Sequence, residues 1–173
     1  MLQTLKTESF GERLRRRMRN VMRRMAAISR RFRQPTLPGS ASQPHVLAIT
    51  ADVNFYSGVL SAAESCGGKA EWARSLKRAL EVCRSRQTPI IIYDRNLPDV
   101  DWRRALDQLS GAPYDLRILL ATPDMDEDLW RMVLHRHGYD VLARSASAEQ
   151  LERELRFAWL SLDETRHSAL TRG

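Results

Sequence analysis

From His45 onward, five short apolar runs alternate with five amphipathic stretches over roughly 118 residues. The runs are "HVLAIT" (45–50), "KAEWA" (69–73), "PIIIY" (89–93), "LRILLA" (116–121) and "YDVLA" (139–143). Helical spacing marks 53–65, 75–86, 101–110, 126–137 and 147–162. The first of these stretches is closed by Gly67 and Gly68, and the last opens on a capping box from Ser147 to Gln150. Strict alternation forces parallel strands, crossover connections and helices on both faces of one sheet. The expected fold is therefore a doubly wound, flavodoxin-like α/β domain with a five-stranded parallel sheet.

The third run carries the chemistry. In "TPIIIYDRNLPDVDW" (88–102) three isoleucines and a tyrosine lead straight into Asp94, with Asn96, Pro98, Asp99 and Asp101 behind it. Such an apolar run suits a strand buried on both faces. A carboxylate at the carboxyl end of that strand stands where open α/β sheets place their ligands. The plainer reading of such an aspartate is a turn residue or a helix cap.

Asp94, Leu97 and Pro98 match the Asp-x-x-Met/Leu-Pro stretch of one family. Thr122, ending "ILLAT" 28 residues after Asp94, matches its Ser or Thr at the end of the fourth strand. On these residues and the five-unit alternation, positions 45–162 resemble the receiver (CheY-like) domain of bacterial two-component response regulators. The resemblance implies that Asp94 is the phosphoacceptor, that Thr122 is the hydroxyl that reports the phosphoryl group, and that the partner is a histidine kinase or another signalling protein. It also implies contact through the fourth helix, fifth strand and fifth helix, around Trp130, Tyr139 and Trp159. Charge explains the rest of the pattern: a phosphoryl group reaching a carboxylate needs a cation beside it and a donor to register it.

The pattern is broken twice. Receivers carry an acidic pair after the first strand, where this chain has Thr50 and Ala51, and only the next residue, Asp52, is acidic. The lysine that ends the fifth strand in receivers is here Arg144, followed by Ser145 in place of proline. Arginine keeps the charge without lysine's compact geometry. A magnesium ion wants oxygen ligands in a near-octahedral array. Asp94, Asp52 and the Asn96 carbonyl would form only a weak site, so no cofactor is expected and the reading is a degenerate receiver, or pseudo-receiver.

Other chemistries find little support. Cys66 and Cys83 have no metal-like spacing and no signal peptide precedes them, so a reducing cytoplasm is the expected location. The four histidines do not cluster with acids, and "ESCGGKAEW" lacks the spacing of a phosphate loop. No nucleophile constellation or second catalytic group is visible, and an enzyme acting on a small-molecule substrate is not expected.

The net charge of +7 is unevenly placed. Residues 1–43 hold eleven bases and two acids, a net +9, while the remaining 130 residues hold seventeen bases and nineteen acids, a net −2. Leu14, Met18, Val21, Met25, Ile28 and Phe32 form a helical seam in this arm, flanked by Arg17, Arg24 and Arg31, which would oppose one another in a parallel homodimer. The arm therefore suits an acidic partner, an anionic membrane surface or nucleic acid, and a disordered tail stays open beside these. The expected organisation is a basic arm with its "RQPTLPGSASQP" linker (1–43), a receiver-like domain (44–162) and a tail (163–173). Its expected role is a stand-alone signalling domain in a phosphorelay, acting by protein–protein contact. The alternative is a phosphorylation-independent module, or a regulator docked through its arm.

Overall fold

The apolar runs form strands β1 (His45–Ile49), β2 (Lys69–Ala73), β3 (Ile90–Asp94), β4 (Arg117–Thr122) and β5 (Asp140–Ala143). Between and after them lie helices α1 (Val53–Ser65), α2 (Leu76–Ser85), α3 (Trp102–Leu109), α4 (Glu127–His135) and α5 (Ala148–Leu170). The structure, a computed structural model, describes residues 44–170, with side chains to Asp163. The arm, with Arg17, Arg24 and Arg31, lies outside the described residues. All strands are parallel, in the order β2-β1-β3-β4-β5.

Period-two alternation sorts each strand between two cores. Ile91 and Tyr93 of β3 face Leu47 and Ile49, Ile118 and Leu120, and the apolar sides of α2, α3 and α4. Ile90 and Ile92 face the opposite way, with Val46, Ala48, Leu119 and Ala121, toward α1 and α5. Every residue of β3 is buried, as expected of a central strand with helices on both faces. Small residues allow close approach on the α1–α5 side: Ala62 and Ala63 of α1 and Ala158 of α5 are buried there, and Gly58 admits Leu151.

The helices start where short polar side chains can take up free N–H groups. Asp52, Ser75, Asp101 and Asp126 cap α1 to α4. The expected capping box opens α5: Gln150 Oε1 accepts from the Ser147 N–H at 2.8 Å, and Ser147 Oγ accepts from the Gln150 N–H at 3.3 Å. That helix runs on to Leu170, eight residues past its expected end at 162. The segment "DETRHSAL" contains neither proline nor glycine, so nothing in it stops a helix. Among the described residues, no helix is long and apolar enough to cross a membrane.

The approach to β2 is tight. The Pro44 carbonyl accepts from the Lys69 N–H at 2.8 Å, and a Cβ on Gly68 would come within 2.9 Å of Pro44 Cβ and closer still to its carbonyl oxygen. Gly68→Ala should therefore destabilise the fold by about 1–3 kcal/mol through overpacking, read as a lower urea midpoint with an unchanged slope. An unshifted midpoint would show that this turn relaxes freely.

Candidate functional site

At the carboxyl rim of the sheet, the neighbours of β3 decide what surrounds Asp94. Ile49 pairs with Tyr93 across β1 and β3, so the chain leaving β1 passes beside the end of β3. Asp94 itself pairs with Ala121 of β4. Its side chain is only 2% exposed, so its charge must be matched from within the protein.

Three groups supply that match. Thr50 Oγ donates to Asp94 Oδ2 at 2.7 Å, and the Asn96 backbone N–H donates to Oδ1 at 3.0 Å. Arg144 Nε lies 3.4 Å from Oδ2 as an ion pair, without hydrogen-bond geometry. The guanidinium also reaches Asp52, donating from Nη2 to Oδ2 at 2.8 Å. Asp52 closes the circuit, because its backbone N–H donates to Thr50 Oγ at 3.0 Å. The threonine oxygen thus accepts from Asp52, and its one proton is directed at Asp94.

The circuit is well anchored. Thr50 is fully buried; its N–H donates to the Ala73 carbonyl at 3.0 Å, and its own carbonyl accepts from Trp72 Nε1 at 2.8 Å. Trp72 stacks on Tyr56 with ring centres 4.9 Å apart. Asp52 Oδ1 accepts from the Asn54 and Phe55 N–H groups at 2.8 and 3.2 Å. These helix N–H groups, Phe55 foremost, and then Arg144 hold the Asp52 carboxyl below the usual carboxylate range. Arg144 is held by its own backbone, whose N–H donates to the Thr122 carbonyl at 2.8 Å.

The other polar residues of the rim serve the fold. Asp99 Oδ2 accepts from the Leu76 N–H at 2.7 Å at the start of α2, and Asp101 caps α3. Thr122 is buried, with its hydroxyl turned into its own loop: it donates to the Asp124 carbonyl at 2.9 Å and accepts from Arg95 Nη1 at 3.4 Å. Thr50 and Arg95 are the site residues that sequence reasoning passed over. In sequence Thr50 shows only as the absence of an acid, whereas the adjacency of the first and third strands sets its hydroxyl beside Asp94.

The oxygens at this rim do not fit a divalent ion. All four carboxylate oxygens of Asp94 and Asp52 already face a donor or the guanidinium, and a metal set between the two acids would meet Arg144 as a like charge. Among the described residues, no three His, Cys, Asp or Glu side chains gather as a metal-ligand set.

No family model matches the sequence, and no curated protein matches it significantly. Solved structures match in shape. The signal receiver domain of an HD domain-containing protein from Pseudomonas fluorescens superposes with a TM-score of 0.67 at 19% identity, covering 77% of this chain and 98% of that one. The chain has the receiver fold. The beryllofluoride-activated NtrC4 receiver domain dimer gives 0.63 at 20% identity over 70% of this chain and 98% of that one. A chemotaxis response regulator of Vibrio cholerae gives 0.59 at 18% over 68% and 99%. In this fold Asp94 stands at the carboxyl end of β3, and the buried Thr50 and exposed Ala51 follow β1 beside it.

Two predictions follow from the circuit. Thr50→Val leaves Asp94 Oδ2 and the Asp52 N–H each short of a partner, and should lower unfolding free energy by about 1–3 kcal/mol, whereas Thr50→Ser should retain most of it; equal midpoints for Val and wild type would contradict the assignment. The second concerns pH. A carboxyl held low in the folded state contributes stability above its unfolded value, near pH 4, and loses it as pH falls through the folded value. Asp52→Asn keeps a capping side chain but not the charge, so its stability deficit should be full at neutral pH and shrink below about pH 4. A deficit independent of pH would show that the charge of Asp52 contributes nothing.

Proposed function

We propose that this chain is a receiver-like signalling domain that acts by protein–protein contact and does not depend on phosphorylation of Asp94. One observation carries the reading: the Asp94 carboxylate is buried and already saturated by Thr50, Asn96 and Arg144. A phosphoryl donor would have to displace Thr50 or Arg144 to reach Oδ2. Doing so would leave buried polar groups unpaired. Arg144 already offsets the charge of the unmodified carboxylate.

The receiver fold of the NtrC4 dimer and of the chemotaxis regulator supports a role in signal transduction. Exposed apolar side chains lie on and beside α4, where Met125, Met132 and Leu134 are 43%, 36% and 37% exposed. Trp130 beside them is committed to the fold, its Nε1 donating to Asp140 Oδ1 at 2.9 Å.

The test is intact-mass measurement after incubation with a small-molecule phosphodonor and magnesium. The chain should gain no phosphoryl mass at donor levels that label a receiver with a complete acidic pair. A gain of one phosphoryl group that disappears in Asp94→Asn would overturn the reading.

A further inference from the structure

A guanidinium set between two carboxylates occupies a cation's place. Arg144 donates to Asp52 Oδ2 at 2.8 Å and lies 3.4 Å from Asp94 Oδ2. The remaining oxygens are also taken: Asp94 Oδ1 by the Asn96 N–H, and Asp52 Oδ1 by the first N–H groups of α1. Thr50 contributes a neutral hydroxyl at the point where a third carboxylate would have to stand.

We propose that Arg144 is the built-in cation of this rim, holding the ends of β1 and β3 together in place of a divalent metal, with Thr50 as the residue that makes the exchange complete. The proposal rests on the phosphorylation-independent reading and gives it a physical cause. A divalent ion needs several oxygens free to turn toward it, and here each oxygen already faces a donor or the guanidinium. Arginine suits the task because its planar fork can face two carboxylates at once, which a lysine ammonium does less well. The Arg144 backbone is bonded to Thr122, so the β4–β5 register sets the height at which the guanidinium meets the two acids.

The inference predicts that two substitutions rebuild a metal site. Thr50→Asp supplies the missing carboxylate, and Arg144→Lys withdraws the fork from between the acids. Uptake of Mn²⁺ by the full chain, followed through loss of the free-ion electron paramagnetic resonance signal, measures this directly. Wild type should take up no Mn²⁺ that depends on Asp94, as judged against Asp94→Asn. The double variant should bind one Mn²⁺ per chain at least tenfold more tightly than wild type, with Mg²⁺ competing and Asp94→Asn abolishing the site.

Asp94-dependent uptake by wild type, or a folded double variant that binds no more tightly than wild type, would overturn the proposal. Arg144→Gln provides a second measurement should the double variant fail to fold. It leaves both carboxylates without their cation, so its melting temperature should rise with millimolar Mg²⁺ while that of wild type stays put; the same response in both would also overturn the proposal. Failure here is separable from failure of the functional reading. Mn²⁺ uptake by a wild-type chain that gains no phosphoryl mass sinks the guanidinium alone, whereas phosphorylation of a chain that takes up no Mn²⁺ sinks the functional reading alone.

Discussion

A buried negative charge has to be answered by its own chain, and the rim of this sheet is organised around that demand. Asp94 ends the most apolar strand of the protein, where water contributes little to stabilising an anion. The donors come from both sides: Thr50 from the end of β1, Arg144 from just beyond β5, and the Asn96 amide from the turn behind Asp94 itself. Removing any of them would expose the cost of an unmatched buried charge, which is why the circuit and the fold cannot be treated separately.

The sheet order makes that convergence possible. Placing β1 and β4 on either side of β3, with β5 beyond β4, brings residues 50, 94 and 144 to one edge although they are scattered over half the chain. The helices lock the arrangement from outside. Asp52 both caps α1 and receives Arg144, so the start of that helix is tied to the end of the fifth strand. Trp72 of the edge strand β2, stacked on Tyr56 of α1, braces the Thr50 backbone. The receiver fold is thus joined here to a rim that holds its own charge balance.

Much of the architecture was legible in the sequence, because strand and helix periods alternate without interruption and the capping box at Ser147 marks the last helix. The helix extending to Leu170 was less so: a polar stretch without a breaker gives no stop signal, and only its continuation in the structure settles the length. At the site, the place of Asp94 at the end of an apolar strand was visible. The partners were harder, since a hydrogen bond between residues 44 positions apart belongs to the pairing of β1 with β3 and not to any local pattern. An acid at position 52 suggests a metal ligand from sequence alone, whereas its oxygens accept from the first N–H groups of α1 and from Arg144. Thr122 invited a reporting role from its place at the strand end, yet its hydroxyl is satisfied by the loop that follows.

The most direct test is a double-mutant cycle on unfolding free energy between Thr50→Val and Arg144→Met, two residues that meet at Asp94 Oδ2 and are joined a second time through Asp52. If both act on one buried carboxylate, their effects should be non-additive by at least about 0.5 kcal/mol, and most of that coupling should be lost in an Asp94→Asn background, leaving the smaller part carried through Asp52. Strict additivity, or coupling undiminished without the Asp94 charge, would contradict the account.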